Sequence, residues 1–149
     1  MSAPQTLPGA VKHQVIDGFT QAAARYDTGG TEFFTDMGTR LVDQTQIRPG
    51  ALVLDVGCGK GAVTLPAARQ ARDTGRVYAI DLARPMLNAA AAQARRSGLG
   101  TITVARGDAE DPPFPAGRFD VILAGNVIQF LPRPAWFAPA SLEAAMSAN

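Results

Sequence analysis

Leu54-Asp55-Val56-Gly57-Cys58-Gly59-Lys60-Gly61 is the stretch that decides the fold. It ends a short apolar run that begins at Ala51 and opens onto a helical pattern, so it reads as a strand turning tightly into a helix. Ala51–Val56 is almost uninterrupted in its apolar character, as expected of a strand buried on both faces of a parallel sheet. Glycines in the turn leave room where a ligand approaches the backbone. The helix N-terminus beyond offers unpaired N–H groups and a partial positive charge. A Gly-x-Gly turn alone is weakly specific, because dinucleotide enzymes use it for pyrophosphate and a tight turn can also hold no ligand. Asp55 sharpens the reading. It puts negative charge where a pyrophosphate would sit, and suits a ligand carrying ammonium and sulfonium groups. The plainer alternative is a carboxylate capping the loop's own N–H groups.

Outward from this loop, strands and helices alternate. The helix after the loop is expected to end near Asp73, with Gly75 as its stop and Pro66 confined to its first turn. Arg76–Ile80 is the second strand, and Pro85 can start a helix that stops at Gly98. Thr101–Arg106 is the third strand and Phe119–Ala124 the fourth. Strands separated by helical segments imply right-handed βαβ units with helices on both sheet faces. On the N-terminal side, residues 1–10 read as a loose arm. Val11, Val15, Phe19, Ala22 and Tyr26 then recur at helical spacing. Thr28-Gly29-Gly30 breaks the pattern, and Thr31 is a candidate N-cap for a second helix with Phe34, Met37, Leu41 and Thr45 as its apolar face. After Ala124, Asn126–Leu131 reads as a helical turn or two before Pro132 and Pro134, and Ser141–Ser147 as a terminal helix.

Composition narrows the function classes. A net charge of +1 with scattered basic residues, Arg95-Arg96 being the only adjacent pair, argues against nucleic acid as a partner. No apolar run approaches the ~20 residues needed to cross a bilayer, and the N-terminus lacks a signal-peptide pattern. The single cysteine, Cys58, excludes an intrachain disulfide and fits a reducing compartment, so a cytoplasmic location is expected. No His, Cys and carboxylate cluster has metal-ligand spacing, so no metal is expected.

Two further landmarks fall at strand ends. Asp81 lies 24 residues after Gly57, where an acidic side chain can accept hydrogen bonds from both ribose hydroxyls; its alternative is to cap the following helix. Gly107-Asp108-Ala109-Glu110 ends the third strand at the same sheet edge. There Asp108 could accept from an adenine amino group while the Ala109 N–H donates to a ring nitrogen. The proline-rich turn Asp111-Pro112-Pro113-Phe114-Pro115-Ala116-Gly117-Arg118 leads into the fourth strand.

From about Tyr26 to Leu131, this ordered set resembles the class I, Rossmann-like S-adenosylmethionine-dependent methyltransferases, in particular the small-molecule type related to ubiquinone and menaquinone methylases. The resemblance implies an α/β fold with a parallel sheet ordered 3-2-1-4, helices on both faces and an N-terminal helical cap. It implies that Asp55, Gly57, Cys58 and Gly59 surround the methionine moiety of S-adenosylmethionine and that Asp81 binds the ribose. Leu82 and Met86 would flank the adenine, and Asp108 and Ala109 would read its edge. Asn126 would face the transferred methyl group, and Tyr26 would reach the methionine carboxylate, unless it is simply a core-facing helix residue. Cys58 lies near a helix N-terminus, where a thiolate is favoured, but no histidine is near in sequence to act as its base. His13, the sole histidine, is a candidate general base from the cap, with an exposed helix position as the alternative.

The family's sheet normally continues to seven strands, and no Leu-Lys-Pro-Gly-Gly-like turn follows the fourth strand here. The expected organisation is an arm and cap over 1–48, a cofactor-binding core over 49–131 and an irregular or truncated tail over 132–149. Val121-Ile122-Leu123 would then be an apolar edge inviting a partner, whether another copy of the chain or a completing one. The leading expectation is methyl transfer to a small molecule, such as a secondary-metabolite hydroxyl. The alternatives are a truncated, non-catalytic S-adenosylmethionine-binding module needing a partner chain, and a nicotinamide-dependent oxidoreductase, which leaves Asp55 and Gly107-Asp108-Ala109 unexplained.

Overall fold

The computed structural model describes residues 8–25 and 33–131. Its elements run α1 (Pro8–Ala22), α2 (Phe33–Thr45), β1 (Leu52–Val56), α3 (Thr64–Ala71), β2 (Arg76–Asp81), α4 (Arg84–Arg96), β3 (Ile102–Arg106), β4 (Val121–Leu123) and a 3-10 turn at Ile128–Phe130. The strands are parallel in the order β3-β2-β1-β4, as the sequence implied. The register sets Asp55 beside Ala79 and Leu123, and Asp81 beside Arg106. The carboxyl ends of the strands therefore come together at one edge, with Asp55 two residues short of the level of Asp81.

Side-chain alternation divides the core into layers. On one face, Val53, Val77 and Leu123 pack with Ala67, Ala68 and Ala71 of α3, and Ala79 packs with Leu87 of α4. Alanine on both helices brings their backbones close to the sheet. On the other face, Leu54, Val56 and Ile80 meet Phe119, with Phe114, Val127 and Leu131 packed against them. Among the described residues that face is covered mainly by loop. Tyr78, Phe114 and Phe119 stack edge to face there, with ring centroids 5.1–5.8 Å apart, and Arg118 lies over all three.

Several boundaries differ from the sequence reading. The helix α1 begins at Pro8, inside the stretch 1–10 that reads as an arm; proline's fixed φ suits the first position of a helix. The buried stripe of α2 is Gly38 and Val42, whereas Met37 is exposed and Phe34, Leu41 and Thr45 are half-buried. Gly38 is the cause: a Cβ there would lie 2.2 Å from the Ala62 carbonyl oxygen, so only a bare backbone lets α2 approach so closely. The helix α3 stops two residues before Asp73, where Arg72 takes a positive φ (61°) with extended ψ and turns the chain out of the helix. Gly75 serves close packing instead, since a Cβ there would meet Ala71 at 2.6 Å. Pro66 sits in the first turn of α3 and Pro85 in that of α4. The suggested cap Thr31, the Ser141–Ser147 helix and the tail over 132–149 lie outside the described residues.

Candidate functional site

A cavity of about 520 Å³ opens at the carboxyl ends of the strands, where ligands of open parallel sheets bind. Its floor is the glycine loop. Gly57 and Gly59 both have positive φ (65° and 52°), a region that side chains with a Cβ enter at a cost of roughly 1–2 kcal/mol. A Cβ on Gly57 would strike Val127 at 2.3 Å, whereas the space over Gly59 is open to 4 Å. Gly57 therefore admits the chain that follows β4, and Gly59 leaves bare backbone facing the cavity. The loop is anchored by the Cys58 N–H donating to the Ile80 carbonyl at 3.0 Å.

Asp55 lines this cavity yet is fully buried. Its Oδ2 accepts the Thr64 hydroxyl at 2.5 Å, and Oδ1 has no hydrogen-bond partner. Burial drives the carboxyl up from 3.8 to about 7; the Thr64 hydroxyl opposes this and the nearby Asp81 charge adds to it. A buried acceptor without a donor is costly, and an ammonium group would relieve that cost.

Asp81 ties the loop to β2. Its Oδ2 accepts the Gly59 N–H at 2.9 Å and its Oδ1 the Ala83 N–H at 2.8 Å. Ala83, not Asp81, is the N-cap of α4, so the helix-capping alternative for Asp81 is replaced by a loop-fixing one. A carboxylate has about four acceptor positions, so hydroxyl groups can still be received. Leu82 and the buried Met86 line the same cavity, as do Asp108 and Ala109. Asp108 Oδ1 accepts the Glu110 N–H at 2.9 Å. Asn126 lies at the cavity mouth with φ 59°, its side-chain oxygen taking the Gln129 amide at 2.6 Å.

Ten of the residues chosen from sequence thus share one cavity. His13 does not: it is exposed on α1, its Nδ1 is 2.7 Å from the Gly9 carbonyl oxygen, and it is absent from the lining. The exposed-helix alternative holds for it. Tyr26 lies outside the described residues. Cys58 is buried, and burial first, then the charges of Asp55 and Asp81, push its thiol well above 9. The helix-terminus argument for a thiolate is overridden there.

Four contributors were missed. Thr64, Val127 and Gln129 act through neighbours already named. Lys12 of α1 lines the cavity, with its ammonium 2.5 Å from Asp108 and 2.6 Å from Glu110. Its spacing to Ile16 and Phe19 puts it on the inward face of the helix, a signal present in the sequence. The cavity also has apolar walls, among them Val15, Ile16, Phe19, Phe34 and Met37. Among the described residues, no group of His, Cys, Asp and Glu could hold a metal ion.

A family described as a methyltransferase domain matches residues 53–145. The chain belongs to that family. Within it the fold and landmarks are those of class I S-adenosylmethionine-dependent methyltransferases. Nocamycin O-methyltransferase of Saccharothrix syringae is 48% identical over 114 residues, 76% of this chain and 41% of that protein. Aklanonic acid methyltransferase of Streptomyces sp. strain C5 is 44% identical over 121 residues, covering 81% of this chain and 55% of the relative. A S-adenosylmethionine-dependent methyltransferase from Aquifex aeolicus superimposes with a TM-score of 0.70 at 24% identity, over 85% of this chain and 66% of its own. This methyltransferase-domain chain spans about half the length of those two curated relatives.

Proposed function

We propose that the chain binds S-adenosylmethionine in the cavity described and serves methyl transfer to a small, largely apolar acceptor. One observation carries the reading: the fully buried Asp55 keeps an unpartnered oxygen in the cavity that the bare Gly59 backbone also lines. An ammonium group satisfies that oxygen, and a pyrophosphate would be repelled by it. Asp55, Gly57, Cys58 and Gly59 would hold the methionine portion and Asp81 the ribose. Leu82, Met86, Asp108 and Ala109 would take the adenine, with Asn126 near the methyl group. When bound, the cofactor supplies a methyl carbon already activated by its sulfonium. The chain's own task is then to orient the acceptor and exclude water. The apolar wall of Val15, Ile16, Phe19, Phe34 and Met37 suits a hydrophobic metabolite. The name of one relative, nocamycin O-methyltransferase, supports oxygen as the methylated atom, the hydroxyl expected from sequence.

A second reading is a cofactor-binding module without turnover of its own that needs a partner chain. The outer edge of β4, which pairs only with β1 among the described residues, is where we place a further strand or a second chain. No described helix is long and apolar enough to cross a membrane, and the buried Cys58 thiol accords with a reducing, cytoplasmic setting.

Calorimetric titrations with S-adenosylhomocysteine and with NADH, paired with tritiated-methyl transfer to a panel of aromatic acids and phenols, test both readings. The expected result is saturable binding of the first nucleoside only, with label incorporated. Binding without label selects the module. NADH binding with no response to S-adenosylhomocysteine would overturn the proposal.

A further inference from the structure

The helix α1 lines the cavity through Lys12, Val15, Ile16 and Phe19, and two of its contacts lie on opposite sides. Phe19 meets Phe130 edge to face, ring centroids 5.1 Å apart, on the side of the segment that follows β4. Seven residues earlier, about 10 Å along a helix, Lys12 reaches the opposite rim. There its ammonium lies 2.5 Å from Asp108 Oδ2 and 2.6 Å from Glu110 Oε2. The environment makes this contact more than a surface ion pair. The Glu110 side chain is only 3% exposed, Lys12 21% and Asp108 28%. Two carboxylates two residues apart in a partly buried rim repel each other with little solvent screening, and a shared cation offsets both charges. Burial alone would lower the Lys12 pKa, but its bonds to Asp108 and Glu110 outweigh that and leave it raised. Lys12 is also one of only two lysines in the chain.

We infer that Lys12 is a positioning residue that fastens α1 over the adenosyl end of the cavity by bridging Asp108 and Glu110, so that helix closure and nucleoside affinity rise and fall together. The inference rests on the functional reading above, because Asp108 is the residue proposed to read the adenine edge. Asp108 can serve both partners: one oxygen faces Lys12, the other takes the Glu110 N–H, and acceptor positions remain. With Lys12 removed, the repulsion between Asp108 and Glu110 is released into the adenine rim, and α1 loses its ionic tie to that rim while the Phe19–Phe130 pair remains.

The test compares wild type with Lys12→Met, Lys12→Arg, Glu110→Gln and the Lys12→Met/Glu110→Gln double variant. Hydrogen exchange over Val11–Ala22 is measured without nucleoside, and S-adenosylhomocysteine affinity by calorimetry. Lys12→Met should lose exchange protection in α1 and bind about tenfold more weakly, the size of one charge-assisted contact. Lys12→Arg should recover most of both. In the Glu110→Gln background, removing Lys12 should cost clearly less, since one of the two charges it offsets is gone. Unchanged α1 protection in Lys12→Met overturns the inference whether or not any nucleoside binds. Equal affinities for wild type and Lys12→Met overturn the coupling. If wild type binds no nucleoside while α1 loosens in Lys12→Met, the functional reading fails and the fastening itself stands.

Discussion

Replacing Asp55 with asparagine should make the protein more stable and worse at its task, and the structure gives the size of the gain. The carboxyl is fully buried, and burial, the largest cause, lifts it from 3.8 to about 7 against the opposing Thr64 hydroxyl. The folded chain therefore keeps a proton that the unfolded chain has already released across that interval. Folded Asp55 binds more protons there, so its contribution to stability is present below about pH 4, falls as pH rises, and is fully lost above about pH 7. This is the reverse of the usual carboxylate in an ion pair. A tenfold change in a proton equilibrium is about 1.4 kcal/mol, so the raised carboxyl costs the folded state about 4 kcal/mol at pH 8, where it ionises while buried, and roughly 2 kcal/mol at pH 5, where it holds a proton that the unfolded chain has released. That is a large part of the 5–15 kcal/mol or so that holds a typical domain together. Asparagine has nearly the same shape and no charge. Urea unfolding of wild type and Asp55→Asn at both pH values measures the difference, other titrating groups being common to the two. The advantage of Asp55→Asn should be about 2 kcal/mol larger at pH 8 than at pH 5, while its affinity for S-adenosylhomocysteine falls at least tenfold. An advantage that is the same at both pH values, or a loss of stability that deepens as pH rises, would refute the reasoning.

Gly57→Ala combines a strained φ with a Cβ 2.3 Å from Val127; it should lower stability by about 2–3 kcal/mol and abolish nucleoside binding, read by thermal unfolding and calorimetry. Gly38→Ala tests the buried stripe of α2: helix propensity alone predicts a gain of up to about 1 kcal/mol, whereas the 2.2 Å clash with the Ala62 carbonyl predicts a loss of at least that size in urea unfolding. His13→Ala should leave the rate and pH profile of methyl transfer unchanged, because the imidazole is exposed and its Nδ1 lies 2.7 Å from the Gly9 carbonyl oxygen.

Much of the sheet was legible because its signals are local and redundant. Apolar runs ending in a carboxylate or glycine marked β1, β2 and β3, and a parallel sheet in the order 3-2-1-4 brings those ends to one edge. The parts that were not legible depend on pairs of residues far apart in sequence. Met37 looks like a core residue by hydrophobicity, yet Gly38 is what packs, because its value lies in the backbone approach to Ala62, which no periodicity reports. Arg72 ends α3 with a positive φ, although the nearby Gly75 was the intrinsically better candidate. The role of Lys12 depends on Asp108 and Glu110, nearly a hundred residues later in the chain, which no local pattern connects to it. The orphaned oxygen of Asp55 is likewise a property of three-dimensional crowding, although the choice of an acidic residue at that position was visible from the start.

The central claim is that one set of strand-end groups grips an adenosyl sulfonium or its demethylated product. Amide chemical-shift mapping of the labelled chain on titration with S-adenosylhomocysteine tests it most directly. The account predicts saturable shifts concentrated at Gly57–Gly61, Asp81–Ala83 and Gly107–Ala109, with α1 responding beside them. A folded spectrum that does not change, or changes only at residues remote from these three strand ends, would contradict it.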